Sequence, residues 1–312
     1  TFECGRDAIV HEDVARKQRL SVGAVVLAPG YQPYQAEKSA EFGFGRYPNV
    51  INALQFERLL SASGPTMGHI QRPSDGTRPE KIAFLQCVGS RDQDHDYCSA
   101  VCCMYATKEA VIAKEHEPDL DIHIFQMDMR AFSKGYLDYF RRAEDRYGIR
   151  YIRCRVSAVH RVPDSQDLII RYADECGETK SEHVQLVVLS VGMEISPDVR
   201  AMADRLGVEL DEYGFCQVRT GDPLQTSRDG IYAIGPFREP KDIPESVVEA
   251  SGSAAAAAER LHASRFDLTE IPEFPPEKDT RDERPRIGVF VCHCGSNIAG
   301  FLDVEAVTDH AA

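Results

Sequence analysis

The sequence predicts an α/β fold in which a parallel sheet carries helices on its faces and a compact βαβ unit is inserted between two separated parts of an outer domain. Three observations point there. Short, continuously apolar runs end at glycine, as strands buried on both faces of a parallel sheet do. Between residues 81 and 154 such runs alternate with helix-like stretches. Two further strand-like segments, at 21–30 and 226–235, flank that alternation from outside.

In chain order, SVGAVVLAPG at 21–30 is the first apolar strand and KIAFLQCVG at 81–89 the second. A helix-like stretch at about 99–115, the strand DIHIFQM at 121–127, a helix at 136–147 and the strand IRYIRC at 149–154 complete the βαβαβ pattern. VSAVHRV, DLIIRYAD and HVQLVVLSVG then read as successive strands of a meander closing on the same sheet, which bounds the inserted domain at about 78–200. A short helix from Met202 to Gly207 precedes VELDEYGFCQV, a hairpin bending at Tyr213-Gly214. In TSRDGIYAIG, Asp229-Gly230 turns into a four-residue strand ending at Gly235. Glu245 to Arg260 is a long helix whose Gly252 and consecutive Ala254 to Ala258 suit close packing against a sheet or a ligand. Pro272, Pro275, Pro276 and Pro285 among many charges mark 264–285 as a linker, and RIGVFVCHCGSNIAG opens a further domain at 286–312. The expected divisions are therefore 1–77, 78–200, 201–263, 264–285 and 286–312. With neither an initiator Met nor a signal-like segment at Thr1, the sequence reads as an excerpt.

Composition removes several classes of function. Fifty acidic residues against 36 basic ones give a net charge of -14, which opposes nonspecific binding to nucleic acid or to anionic lipid. The longest apolar runs, such as Val184 to Val191, fall far short of the roughly 20 residues that span a bilayer, so no direct membrane insertion is expected.

The cysteines are the chemical signal. Of ten, Cys87, Cys98, Cys102 and Cys103 crowd into one segment, whereas Cys4, Cys154, Cys176 and Cys216 are scattered and read as small buried hydrophobes or surface thiols. A tight cluster in a large α/β chain suggests metal ligation or redox chemistry in a reducing cytoplasm rather than a secreted disulfide scaffold. Cys98, Cys102 and Cys103 stand at the mouth of a helix, and Cys87 ends the strand before it. Four soft thiolates near a helix N-terminus suit a [4Fe-4S] cluster, because the free amides lower thiol pKa and hydrogen-bond to sulfide. Zinc in a Cys4 site and unligated thiols are the alternatives, although the paired C-x2-C knuckles usual for zinc are absent.

The turn holding these cysteines is where a dinucleotide-binding unit would place a Gly-rich pyrophosphate loop. Here it has one glycine, Gly89, and the carboxylates of Asp92, Asp94 and Asp96, which repel a pyrophosphate. A nicotinamide cofactor is not expected at it. GAVVLAPG and TSRDGIYAIG resemble two strands of flavin reductases of the thioredoxin reductase and glutathione reductase type, one ending at Gly30 and the other touching the flavin at Gly235. That likeness implies an FAD/NAD(P)-binding Rossmann-like, thioredoxin-reductase-like two-domain core with an inserted βαβ domain. Pro29 and Pro236 depart from the Thr and Asp usual in those strands, and a Gly-rich FAD loop is expected upstream of Thr1.

LQCVGSRD at 85–92, YCSAVCCMYATKEA at 97–110, the segment 45–76 and EPKDIPESVVEASGSAAAA at 239–257 resemble the HdrA-like iron-sulfur flavoproteins of heterodisulfide reductase across nearly all of 20–265. The resemblance implies an oxidoreductase component, an electron-transfer flavoprotein with FAD and several [4Fe-4S] clusters, some members of the family bifurcating electrons at the flavin. It implies that Cys87, Cys98, Cys102 and Cys103 hold a cluster near the flavin. Lys108 is implied beside the isoalloxazine ring, where its charge would stabilise a reduced, anionic flavin; the plain alternative is a solvated helix residue. Gly235, Lys241, Asp242 and Ile243 are implied to cover the flavin, with a helix starting near Pro244 directing its amides at it. Implied partners are other heterodisulfide-reductase-like subunits, a hydrogenase or dehydrogenase as electron donor, and ferredoxin. RIGVFVCHCGSNIAGFLDVEAV at 286–307 looks like the opening of the same family, with Cys292 and Cys294 as two ligands of a second cluster or as free thiols of a local turn. Three rivals stay open: the flavin subunit of a quinone-interacting membrane-bound oxidoreductase, a nicotinamide-dependent disulfide reductase, and a zinc-stapled scaffold.

Overall fold

Apolar side chains on both faces of a short segment demand cover on both, and LVVLSV at Leu186–Val191, apolar except at Ser190, meets that demand by lying second in a seven-stranded sheet, buried throughout. The computed structural model describes residues 12–163 and 165–312; Cys4 and the rest of 1–11 lie outside the described residues. Two short strands, β1 (Val25–Leu27) and β2 (Gln32–Pro33), precede β3 (Val50–Asn52), α1 (Ala53–Leu60) and β4 (Lys81–Val88). There follow α2 (Cys102–His116), β5 (Asp121–Gln126), α3 (Tyr136–Asp145), β6 (Arg150–Arg161), β7 (Leu168–Asp174), β8 (Thr179–Val184) and β9 (Leu186–Val191). After β10 (Met193–Glu194) come α4 (Pro197–Leu206), β11 (Val218–Arg219), β12 (Asp222–Thr226), β13 (Ile231–Ala233) and α5 (Ile243–Arg260). The chain divides into two compact units, the first ending at Arg265. The second, from Phe266, contains α6 (Gly295–Ile298) and α7 (Val304–Ala311).

The large sheet runs β3-β9-β4-β5-β6-β7-β8, parallel from β3 to β6 and antiparallel beyond. The period of two sorts its side chains. Ile82, Phe84, Ile122, Ile124, Leu186 and Val188 face a core shared with α1 and α2. Ala83, Leu85, Phe125, Val187 and Leu189 face a second core closed by Tyr34 and the meander. On α2 the fully buried Ala106, Ala110 and Ala113 let the helix lie close on the strands. Phe56 from α1 meets Phe84 edge to face, ring centroids 5.4 Å apart.

The outer four-stranded sheet runs β1-β13-β12-β11, with β1 and β13 parallel. Expected as a strand buried on both faces, β1 is instead an edge strand of three residues, with Val26 41% exposed. IRYIRC and VSAVHRV, expected as two strands, form the single twelve-residue β6, whose register shifts between Val156 and Ala158. HVQLVVLSVG splits the other way: β8 ends at Val184, and β9 crosses back to pair with both β3 and β4. Through β3 the sheet also takes in residues ahead of 78. The short helix expected from Met202 begins earlier, at Pro197, because Ser196 caps it through the Val199 amide at 3.3 Å. Among the described residues no helix is long and apolar enough to cross a membrane.

Phe84 fills the middle of β4 with no exposed surface. Phe84→Ala is expected to cost about 3–5 kcal/mol in urea unfolding, whereas Val26→Ala on the exposed edge stays within about 1 kcal/mol.

Candidate functional site

At the carboxyl end of β4 the pairing register breaks between Leu85 and Val88, and Cys87 takes a left-handed backbone at φ 61°. For a residue with a Cβ that conformation is strained, and it turns the thiol out of the strand's alternation. Two residues on, Gly89 has φ 68° and lies against the Tyr34 ring, which a Cβ would approach to 2.1 Å. Only glycine fits there. The loop beyond is pinned from inside: the buried Ser90 Oγ donates to the Tyr97 carbonyl at 2.9 Å, and the buried Ser99 Oγ accepts the Met193 amide at 3.0 Å. Ala100 also has φ 61°, and α2 then starts at Cys102 with no side chain capping it. Its first-turn amides therefore lack a side-chain acceptor.

The four expected cysteines share this corner. Cys98 Sγ accepts the Ala100 amide at 3.3 Å, Cys102 Sγ donates to the Val191 carbonyl at 3.7 Å and Cys103 Sγ donates to the Asp128 carbonyl at 3.8 Å. Cys102 and Cys103 are buried, Cys87 and Cys98 half-buried. Burial pushes the Cys87 thiol up to about 11, the charges of Cys103 and Cys98 adding to it while Arg91 opposes. Burial also raises Cys102 strongly, helped by Cys87, and raises Cys103, helped by Cys98. The sulfurs thus feel one another, and a bound cation would add to Arg91 in favouring their ionisation. Among the described residues no three His, Cys, Asp or Glu side chains are set to hold one metal ion. A single zinc would draw its sulfurs to within about 4 Å of one another, given Zn–S bonds near 2.3 Å. A cubane binds each thiolate through a different iron, so its ligands stand wider apart, and four soft donors at an uncapped helix start suit it chemically.

The outer domain supplies the remaining expected residues. Gly30, at φ 74°, ends the β1 turn with no atom within 4 Å of where a Cβ would point. The next residue, Tyr31, has its phenol raised by burial and then by the charges of Cys102 and Glu57, so this turn borders the cysteine helix. Gly235, at φ 67°, donates its amide to Glu249 Oε2 at 2.8 Å. Glu249 also holds Arg238 and Lys241, and Lys241 reaches Glu239 at 3.3 Å. Lys241, expected against a cofactor, is therefore buried in an ion-pair network. Asp242 caps α5 in a reciprocal box with Glu245, and Ile243, 80% exposed, opens the helix. Lys108 pairs with Glu57 at 2.7 Å between α2 and α1, with both side chains about half exposed.

Sequence reasoning passed over Glu249 and Glu109, since a glutamate in a helix reads as solvated until the packing is known. Glu109 is 2% exposed on α2, its Oε2 has no partner, and burial, with Glu57 adding and Lys108 opposing, raises its pKa to about 9. Of the other thiols, Cys154 and Cys216 are buried and Cys176 is exposed, while Cys292 and Cys294 are exposed within the second unit.

The family model for pyridine nucleotide-disulphide oxidoreductases matches residues 122–254. The chain is 40% identical over 273 residues to the HdrA iron-sulfur protein of the CoB–CoM heterodisulfide reductase of Methanocaldococcus jannaschii, covering 86% of this chain and 42% of that protein. It is 38% identical over 270 residues to the HdrA component of the H2/formate:CoB-CoM heterodisulfide,ferredoxin reductase of Methanococcus maripaludis, covering 85% of this chain and 41% of that one. The chain thus spans about two fifths of the length of these curated relatives. Among solved structures, Lactococcus lactis thioredoxin reductase is similar at 15% identity and a TM-score of 0.48, over 77% of this chain and 66% of that one.

Glu109 makes stability depend on pH. Its folded pKa, about 9, lies above the ordinary 4.5, so above pH 4.5 the unfolded chain has lost a proton that the folded chain keeps. Stability therefore falls as pH rises from about 4.5 to 9. Glu109→Gln is expected to stabilise the protein by at least about 1 kcal/mol at pH 8 and to flatten that decline, read by urea unfolding at several pH values.

Proposed function

The chain belongs to the HdrA family of heterodisulfide reductase flavoproteins, and on that premise we propose that it is a flavin-dependent electron-transfer component of a heterodisulfide-reductase-like oxidoreductase. One observation supports this above the others. The turn after β4, where this architecture would cradle a pyrophosphate, gathers Cys87, Cys98, Cys102 and Cys103 beside the turn at Gly30. These cysteines would hold a [4Fe-4S] cluster, and Gly30, Gly235 and the start of α5 at Lys241, Asp242 and Ile243 would border FAD. Bound there, a flavin exchanges electron pairs and single electrons while a cluster carries electrons singly, the chemistry that flavin-based bifurcation needs.

The chain's own residues have definable tasks. The positive φ at Cys87 marks the break in the strand's register, and Ser90 and Ser99 hold the loop that carries Cys98. The Glu249 network fixes the backbone at Gly235 against α5, so the mouth of that helix is set before any ligand arrives. Lys108 is the proposed catalytic cation. Glu57 neutralises it at 2.7 Å, and an anionic flavin would compete with that carboxylate for its charge. Its relatives' names state that they are one subunit of a heterodisulfide reductase and, in one case, name H2, formate and ferredoxin; for this chain we extend that to further heterodisulfide reductase subunits, a hydrogenase or dehydrogenase as donor, and ferredoxin.

The test is anaerobic purification of the full-length protein with its partner subunits, followed by iron, sulfide and flavin determination and EPR. Cys102→Ser and Cys103→Ser should each remove about four iron atoms and one cluster signal while leaving FAD in place. Zinc in place of iron, or flavin bleaching by NADPH alone, would refute the reading.

A further inference from the structure

The segment from residue 127 to 136 leaves β5 and enters α3, and its two ends touch different parts of the proposed site. At its start the Asp128 carbonyl accepts the Cys103 thiol, while the Asp128 carboxylate pairs with Arg91 and, at 3.1 Å, with Arg130. At its end Ser133 Oγ donates to Asp242 Oδ2 at 3.1 Å and the Tyr136 hydroxyl donates to the same oxygen at 3.0 Å. Asp242 spends its other oxygen on the Glu245 amide, 2.9 Å away, as the cap of α5.

Two hydroxyls reaching one carboxylate oxygen from a second part of the fold is more than a cap requires. The turn is built to deliver both: Gly135 has φ 83°, and the Tyr136 amide donates to the Ser133 carbonyl at 3.1 Å, which puts the two side chains on one side. Burial and the Asp242 carboxylate raise the Tyr136 phenol pKa, so it remains a proton donor. Hydrogen bonds to an ionised acceptor are about twice as strong as neutral ones, and two of them hold one orientation.

We propose that residues 127–136 form a strap coupling the cysteine corner to the N-terminus of α5, with Ser133 and Tyr136 as positioning residues that latch it onto Asp242. The latch stands on its hydrogen bonds; its consequence, a fixed placement of cluster against flavin, rests on the function proposed above. A change of packing at Cys103 would reach α5 through Asp128 and the strap, and freeing Asp242 would be felt at Cys103.

Hydrogen exchange read by mass spectrometry, on the full-length protein with its partner subunits, tests the latch without relying on activity. Ser133→Ala and Tyr136→Phe should each raise exchange about tenfold in peptides covering 127–136 and 242–249, leaving β4 and β9 unchanged. Ser133→Thr, which keeps the hydroxyl, should restore the slow exchange. In Tyr136→Phe the EPR line shape of the reduced cluster should also shift. Unchanged exchange at 242–249 in the Ser133→Ala, Tyr136→Phe double variant would overturn the latch, and raised exchange with an unaltered cluster spectrum would overturn the coupling. Raised exchange in a protein whose wild type binds neither iron nor flavin would uphold the latch and overturn the functional reading.

Discussion

The structure turns on how β4 ends. A strand covered on both faces has no place for a polar or reactive side chain until its ladder stops, and here it stops by breaking register and putting Cys87 into a left-handed conformation. A residue with a Cβ held there costs on the order of 1–3 kcal/mol, which the surrounding packing must offset. Gly89 against Tyr34 and the pair Ser90 and Ser99 do so by fixing the loop that follows the kink. The strain therefore delivers a thiol where three others already converge at the start of α2.

That convergence is electrostatically unfavourable for the bare protein. Burial keeps the Cys87, Cys102 and Cys103 thiols from ionising, and each ionised neighbour makes the next ionisation harder. A cationic inorganic core would offset part of that repulsion by binding each sulfur, and the uncapped first turn of α2 would add its dipole. A pyrophosphate would need the opposite environment, glycines for close backbone approach and no carboxylates. One loop cannot meet both requirements.

Much of this is legible in the linear chain, and the parts that are not share a cause. β4, α2, β5, α3 and α5 follow from local periodicity, and the cysteine cluster from spacing alone, because each is settled by residues near in sequence. The course of β9 is not: its six residues, five of them apolar, look like the end of a meander, but they lie between β3 and β4, where both faces are covered. β6 runs through twelve residues because a register shift absorbs the break that the sequence suggests. Resemblance places Lys108 and Lys241 against a cofactor, yet each has a carboxylate partner, Glu57 in one case and Glu249 in the other. Those partners lie 51 and 8 residues away, and their number of possible pairings hides them from any linear pattern.

The Glu249 network shows why such partners matter to the site. One carboxylate on α5 receives the Gly235 amide, Arg238 and Lys241, so the strand-end turn, the loop and the helix are joined at a single group. Lys241 has 3% of its side chain exposed, and removing Glu249 would leave that buried ammonium with only the more exposed Glu239, 3.3 Å away. Beyond Lys241, Ile243 is exposed and Asp242 half-buried, with Asp242 already shared between its own helix and the segment after β5. The mouth of α5 is therefore held from two directions, by charge from within the outer domain and by hydroxyls from the segment that joins β5 to α3. On the function proposed above, a mouth fixed to the thiol corner would set the separation between flavin and cluster, and a fixed separation between carriers is what electron transfer requires.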